Sequence, residues 1–383
     1  MRILQVCPYA MMRRGGVQAH VRDVAHWLTG AGHEVTIVAP GPEDGILGTS
    51  AAPVVPLGRH VGVGLSGTRF EVTLIGPRAL RAAVRRLDAA SIDVVHVHTP
   101  FVPFLPLQVW RAFRRPTVAT FHATLPPGDR LLRTILAPVA RAMAHRAEAT
   151  IAVSRSAAEL LGPDDPARPI DILPPTIDLS AWRAAGAGAE PRSDGAPRRL
   201  LFLGRFEPRK GLDVLIDAWP EIVRRGGPAP DELVIAGGGE LEPLARGLAE
   251  RDPGRVTIVP SPGDDDARRL VAAADLMIAP APWGESFGLV LIEAMAAGTP
   301  VVAAANPGYA SVLTGAGAAL LVPPGDARAL ARTVGDLLAA PDRLGELAAW
   351  GRDHVDRFDV AAVGPRLVEI YERVIARSGR RPG

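Results

Sequence analysis

Lysine is all but missing from this sequence: of 43 basic residues one, Lys210, is lysine and the rest are arginine. Such a bias is the mark of a GC-rich genome, and it leaves Lys210, between Arg209 and Gly211, as the one side-chain ammonium group. Cysteine is as scarce. Cys7 stands alone, which excludes an intramolecular disulfide and a cysteine-based zinc site and fits a reducing compartment. Net charge is only +2 over 383 residues, too little to argue for nucleic acid. It is uneven, however. Residues 1–180 hold 19 arginines against 14 acids, an asymmetry that suits a surface drawn to phosphate or to anionic lipid. A membrane span is also missing. The longest uncharged stretch, Ala294 to Gly325, is broken by Gly298, Pro300, Pro307, Gly308, Gly315 and Gly317, so it cannot be one lipid-facing helix. Residues 1–7 read as a strand and leave no room for a signal peptide, so the expected location is the cytoplasm, either free or peripheral at the inner face of the cell membrane.

What is present is an ordinary globular composition, 48% hydrophobic and 22% charged, in a chain long enough for two domains. Short β-branched runs alternate with longer amphipathic stretches, the pattern of parallel sheets with helical crossovers. The first half offers strands at Ile3–Cys7, Val35–Ala39, Asp93–Val97, Thr117–Phe121 and Thr150–Val153. Helices are expected at Val17–Ala31, Pro77–Ala90 and Asp129–Glu148. The rhythm breaks at Pro174-Pro175 and a small-residue stretch. It restarts with strands at Leu200–Leu203, Leu233–Ala236, Val256–Val259, Leu276–Ala279 and Pro300–Ala303, separated by helices at Leu212–Arg225, Leu241–Glu250, Asp266–Ala273 and Leu289–Ala297. The expectation is α/β architecture with two doubly wound, Rossmann-like domains: 1–175, a linker over 176–198, and 199–358, followed by a C-terminal helical segment 359–383. Ligands of such folds bind at the carboxyl ends of strands, and the two domains are expected to face each other there across a cleft.

Three loops carry candidate chemistry. The first runs from Pro8-Tyr9 through Gly15-Gly16-Val17-Gln18. A glycine pair opening a helix presents free N–H groups to an anion, and a plain turn is the simpler reading of the same residues. In the second, Gly204-Arg205 and Arg209-Lys210-Gly211 follow a strand. A guanidinium and an ammonium converging there would neutralise a diphosphate. The third is Glu285-Ser286-Phe287-Gly288-Leu289 leading to Glu293 and ending Ala294-Met295-Ala296-Ala297-Gly298-Thr299-Pro300. Its two glutamates flank a loop-to-helix junction, where one can hold sugar hydroxyls and the other ribose hydroxyls while backbone N–H groups meet phosphate.

The Glu285-to-Glu293 run with its Ala-Met-Ala-Ala-Gly-Thr-Pro tail, together with Gly204-Arg205 and Arg209-Lys210-Gly211, resembles the signature of retaining glycosyltransferases of family 4, which have the GT-B fold. Within that family the chain is most similar to the bacterial phosphatidylinositol mannosyltransferases, through Pro8-Tyr9, Gly15-Gly16-Val17-Gln18 and Phe121-His122. The resemblance implies that Arg205 and Lys210 bind the donor diphosphate and that Glu293 binds its ribose. It implies that Glu285, with the Ser286, Phe287, Gly288 and Leu289 segment, holds the donor sugar and that Gly16 contacts phosphate. His122 would sit beside the sugar, and Tyr9 and Gln18 would bind the acceptor. The implied co-substrate is a nucleoside-diphosphate sugar, GDP-mannose first, and the implied acceptor a lipid or glycan, with no cofactor and no metal. The final helix, near Val360–Ile375, would return to the first domain.

The acceptor side departs from that group. Phe101 stands where it has Asn, Ala123 and Pro126-Pro127 where it has Thr and Lys, Arg13-Arg14 is foreign to its first loop, and Pro174-Pro175-Thr176-Ile177-Asp178 replaces its usual Pro-Asn-Gly-Val-Asp. Arg78, Arg81 and Arg85 share one helical face opposite Leu80, Val84 and Leu87. Such a face is either solvated or docked peripherally on anionic membrane, as the resemblance implies. Asp264-Asp265-Asp266 suits a helix start rather than a metal. Three alternatives stay open: a UDP-sugar-dependent transferase acting on another acceptor, a UDP-sugar epimerase on the same fold, and a non-catalytic nucleotide-sugar binding protein.

Overall fold

The apolar runs form strands because helices cover both faces of each sheet, so strand residues of either parity are buried. The computed structural model describes residues 1–13, 15–41, 52–65, 68–89, 91–124, 130–163, 165–189, 198–225 and 232–379. They fall into two units, Met1–Asp178 with Phe358–Gly383, and Leu179–Arg357.

The first unit runs β1 (Arg2–Val6), α1 (Gly16–Gly30), β2 (Glu34–Ala39), β3 (Val54–Pro56), β4 (Arg59–Leu65), β5 (Thr68–Leu74), α2 (Pro77–Arg86), β6 (Val94–His98), α3 (Leu105–Phe113), β7 (Thr117–Phe121), α4 (Arg130–Arg146), β8 (Ala149–Ala152), α5 (Arg155–Ala158) and β9 (Ile170–Ile172). Seven strands form a parallel sheet in the order β3-β2-β1-β6-β7-β8-β9, and β4 and β5 pair apart as an antiparallel hairpin. Strand periodicity sorts side chains between the two faces. Ile3, Cys7, Val94 and Val118 pack with Val21, Val24 and Leu28 of α1. Leu4, Val6, Val95 and Val97 pack with Ala83 of α2 and Leu105, Val109 and Phe113 of α3. Ala119 and Phe121 continue this second face under Ala137 and Ala140 of α4, and Trp110 of α3 touches both clusters. Helices α2, α3 and α4 therefore form one layer.

The second unit runs α6 (Ser180–Ala187), β10 (Arg199–Arg205), α7 (Leu212–Arg225), β11 (Glu232–Gly238), α8 (Glu242–Arg251), β12 (Val256–Pro260), α9 (Asp264–Ala272), β13 (Leu276–Ala279), α10 (Leu289–Ala296), β14 (Val301–Ala304), α11 (Pro307–Val312), β15 (Leu321–Val322), α12 (Ala327–Leu338) and α13 (Pro341–His354). Its parallel sheet has the order β12-β11-β10-β13-β14-β15. The last helix, α14 (Val360–Arg377), rejoins the first unit, where Val363, Leu367, Ile370, Tyr371 and Val374 share a core with Ile3, Val21 and Ile37.

The stretch 176–198 does not act as a plain linker. Ile177 bridges to Asp359, and the Asp178 N–H donates to Asp23 at 3.0 Å, both inside the first unit. Residues 180–187 are helical, and the small side chains that suggested a linker serve close packing: a Cβ on Gly186 would collide with the Ala297 carbonyl. Residues 190–197 lie outside the described set, as do Arg14 and Pro126-Pro127. The stretch Ala294 to Gly325 is divided among α10, β14, α11, a 3-10 turn and β15. Among the described residues no helix is long and apolar enough to cross a membrane.

Candidate active site

Both sheets change winding direction once, between β1 and β6 in the first unit and between β10 and β13 in the second. Loops leaving the carboxyl ends of such strand pairs part from one another and open a ligand crevice. The loop after β10 carries Arg205 and Lys210, and the loop after β13 carries Glu285, so the second unit brings the distant basic and acidic motifs to one switch point.

They form a chain of ion pairs. Arg205 contacts Glu207 at 2.7 Å, Glu207 accepts from Arg209 at 2.8 Å, and Glu285 Oε1 accepts from Arg209 at 3.1 Å and from Lys210 Nζ at 2.6 Å. Exposure decides which cations are open to a ligand. Arg209 is 9% exposed, Lys210 20% and Arg205 47%, so the two ends of the chain are available and Arg209 is its internal strut. Burial raises the Glu207 carboxyl above its ordinary value, against the pull of Arg205 and Lys210. Gly204 pairs with Gly237 of β11, leaving two strand ends side by side without side chains.

Backbone geometry explains the glycines of the third loop. Gly288, just before α10, has φ +140, and a Cβ there would lie 2.7 Å from the Tyr309 ring. Gly308, in α11, abuts the Glu285 carbonyl and lies close to the Phe287 amide. Asn306 ties the region together, accepting from the Tyr309 amide at 2.9 Å and donating to the Ala281 carbonyl at 2.8 Å. Burial, then the Glu285 charge, holds the Tyr309 hydroxyl protonated far above neutrality. Ser286 and Leu289 are partly exposed, Phe287 is buried, and Glu293 is half-buried in the second turn of α10. Gly308→Ala is expected to push the Glu285–Phe287 backbone aside. It should cost about 1–3 kcal/mol, as overpacking does, and weaken nucleotide binding; urea unfolding with a nucleotide titration checks both.

In the first unit, Gly15 precedes α1 and Gly16 opens it, exposed, with no side-chain cap and no acid in the first turn. The N-terminal amides of α1 thus keep their affinity for an anion. Tyr9 packs half-buried against the core and Gln18 is buried. His122 follows β7 and is buried too, in a cluster that its sequence neighbours did not reveal. His98 Nδ1 lies 2.9 Å from His122 Nε2, His96 contacts Tyr371 and Thr120 at 2.6 Å each, and His20 Nδ1 meets the Thr176 backbone at 2.9–3.0 Å. Burial drives all four imidazoles toward the neutral form, His20 to about 4 and His96 to about 3, with His98 and His122 well below their usual value.

His98 Nε2 is enclosed without a partner. A buried acceptor tolerates that better than a buried N–H does, which assigns the hydrogen of His98 to Nδ1, donating to His122 Nε2. His122 then carries its own hydrogen on Nδ1. Nitrogens of His20, His98 and His122 lie within 4.8 Å of one another, a spacing compatible with a metal, but ring hydrogen bonds already engage a nitrogen on each. Phe101 stacks on Phe121, ring centroids 6.1 Å apart, so its departure from the mannosyltransferase pattern serves packing beneath α4. The three acids at 264–266 form the first turn of α9, two of them paired with Arg268 and Arg269. Arg78, Arg81 and Arg85 are exposed on α2.

Two family models match: "Glycosyltransferase Family 4" over residues 14–181 and "Glycosyl transferases group 1" over 197–340. The phosphatidyl-myo-inositol mannosyltransferase of Mycolicibacterium smegmatis is 34% identical, the alignment covering 98% of this chain and 94% of that protein. Among solved structures, sucrose-phosphate synthase from Thermosynechococcus elongatus superposes with a TM-score of 0.75 at 22% identity, over 98% of this chain and 99% of the other. The Anabaena protein HepE in complex with UDP-glucose does so with a TM-score of 0.74 at 21% identity, over 97% and 100%. The two parallel sheets, each with a single reversal, are the GT-B fold, and the chain belongs to glycosyltransferase family 4.

Proposed function

We propose that the protein transfers mannose from GDP-mannose to a hydroxyl of an inositol phospholipid, with retention of configuration. The observation that carries this reading is the Arg205–Glu207–Arg209–Glu285–Lys210 chain at the switch point of the second unit. Its two accessible cations suit a diphosphate leaving group, whose charge they neutralise as the glycosidic bond breaks. That role needs no metal. Glu285 receives the sugar hydroxyls beside the Phe287 and Gly288 amides, and Glu293 the ribose. His122 offers its Nδ1–H to a sugar oxygen, and the amides at Gly16 meet phosphate. The acceptor hydroxyl adds from the face the diphosphate leaves, with a phosphate oxygen taking its proton. No side chain here acts as a covalent nucleophile. Tyr9 and Gln18 are assigned to the inositol ring, and mannose and inositol are favoured by the 34% identical relative.

Thermal shift against GDP, UDP, ADP and their sugar conjugates tests the donor. At about a hundredfold excess over Kd, a ligand of the native state adds about 2.7 kcal/mol, or roughly 5–10 °C for a unit of this size. A rise with GDP and GDP-mannose is expected. A rise confined to UDP compounds replaces the donor, and silence toward every nucleotide overturns the reading.

A further inference from the structure

His98 is wholly buried and so touches no substrate. It is also a destabilising choice for its place. Its Nε2 is enclosed without a partner, and a buried polar atom left unpaired lowers stability where a leucine of similar bulk would not. What the imidazole has and leucine lacks is the other nitrogen: His98 Nδ1 lies 2.9 Å from His122 Nε2.

The His98 ring is held by its neighbours. His96, two residues earlier on β6, shares its face and lies against it, ring centroids 4.1 Å apart and planes 35° from parallel. His96 is itself clamped at both nitrogens by the hydroxyls of Tyr371 on α14 and Thr120 on β7, at 2.6 Å each. His20 of α1 meets the His98 and His122 rings edge-on, at 5.6 and 5.3 Å. Four elements thus converge on one imidazole whose only polar contact is with His122.

His122 is placed differently. It keeps 7% of its surface exposed, and its Nδ1 bonds no described residue. A neutral imidazole has one donor and one acceptor, so the role taken by Nε2 dictates the role of Nδ1. With Nε2 accepting from His98, Nδ1 is a donor. Without that contact the hydrogen would exchange between the two nitrogens, and only one of the two forms donates from Nδ1.

We propose that His98 is a positioning residue of the transfer reaction: it holds His122 in the Nδ1–H form and fixes that N–H against an oxygen of the donor sugar. The inference rests on the role given to His122 above and names the group that enforces it. Unpaired Nε2 is the stability given up for a fixed donor one residue nearer the substrate, the general pattern of a site held by a supporting layer of side chains.

Two variants separate this role from packing. His98→Leu fills the space and has no donor, while His98→Asn returns an N–H at the level of Nδ1. Imidazole nitrogen NMR spectra of the ligand-free chain come first, with His122 assigned by the signals that vanish in His122→Gln. The parent and His98→Asn should show the His122 hydrogen on Nδ1, and His98→Leu a mixture of both forms. In His98→Leu, kcat/KM for GDP-mannose should fall by about tenfold to a hundredfold, the effect of breaking one buried hydrogen bond and leaving a partner unpaired. His98→Asn should recover most of it. Affinity for GDP, which has no sugar for His122 to meet, should stay at the parent value in both. A residue that only packed would leave the His122 spectrum unchanged in His98→Leu, and the polar His98→Asn would then perform worse than His98→Leu. That order overturns the inference, as does a His122 hydrogen on Nε2 in the parent. If a UDP-sugar proves to be the donor, the same comparison runs between it and UDP, and the error touches the donor assignment alone. A donor turned over as fast by His98→Leu as by the parent overturns this inference alone, and silence toward every nucleotide overturns both.

Discussion

Replacing Lys210 by alanine is expected to lower turnover by about a hundredfold to a thousandfold, the range seen when one preorganised stabiliser of developing negative charge is removed. The reason is positional. Lys210 is the less exposed of the two accessible cations, 20% against 47% for Arg205, so its field on a bound diphosphate is less screened by water. The fold should survive, because Glu285 keeps its contact with Arg209 at 3.1 Å. Lys210→Arg should recover part of the rate, since the charge returns with different reach. Arg205→Ala should cost less, in proportion to its exposure. Steady-state release of the nucleoside diphosphate, measured for all three variants, checks the order. Wild-type turnover in Lys210→Ala would remove the diphosphate from this site.

The first unit is also expected to lose several kcal/mol of stability between pH 7 and pH 5. Its four buried imidazoles have folded-state pKa values below the ordinary value, about 4 for His20 and about 3 for His96, with His98 and His122 lowered in the same direction. The unfolded chain takes up protons near pH 6.5 and the folded chain does not. Their contribution is therefore intact above pH 6.5 and is lost as pH falls from there toward the folded values. At pH 5 the linkage is on the order of 1–2 kcal/mol each for His20 and His96. His98 and His122 act in the same direction, so the loss is a substantial share of the stability of an ordinary domain. Urea unfolding at pH 7.5, 6 and 5, followed by hydrogen exchange in β6 and β7, measures it. A first unit equally stable at all three would mean that the rings titrate freely in both states.

Strong local periodicity made much of the fold legible. The strands Thr117–Phe121 and Leu276–Ala279 and the helix Leu212–Arg225 are readable to the residue, β1, β2, β6, β8, β10, β11, β12 and β14 to within one or two, and the two-residue β15 is not readable at all. The elements that escaped are short or begin awkwardly. β3 and β9 have three residues each, and α3 opens with Leu105-Pro106 after a Phe104 at φ +72. The hairpin β4–β5 lies outside both parallel sheets. Helices α12 and α13 lie beyond the last motif, in a stretch without candidate chemistry. In the site, Lys210 and Glu285 stood out because their motifs are continuous in the chain. Arg209 belonged to the same motif, but its burial between two carboxylates emerges only when the loops after β10 and β13 meet. The histidine cluster draws on α1, β6, β7 and α14. One clue was present, since His96 and His98 are two apart in a strand and must point to the same face, the face of Tyr371. Nothing around Gly308 marks its approach to Glu285.

Helix α14 has a consequence for the order in which the protein is made. Val363, Leu367, Ile370 and Val374 complete the core against Ile3, Val21 and Ile37, and Tyr371 binds His96. They leave the ribosome only after all of Leu179–Arg357. During synthesis the first unit thus waits with the part of one sheet face that α14 covers, beside α1, still open, while the second unit, whose residues are contiguous, is free to fold. A pause or truncation between Arg357 and Tyr371 would leave a finished second unit joined to an unfinished first one, with an apolar face open to the chaperones that attend nascent chains.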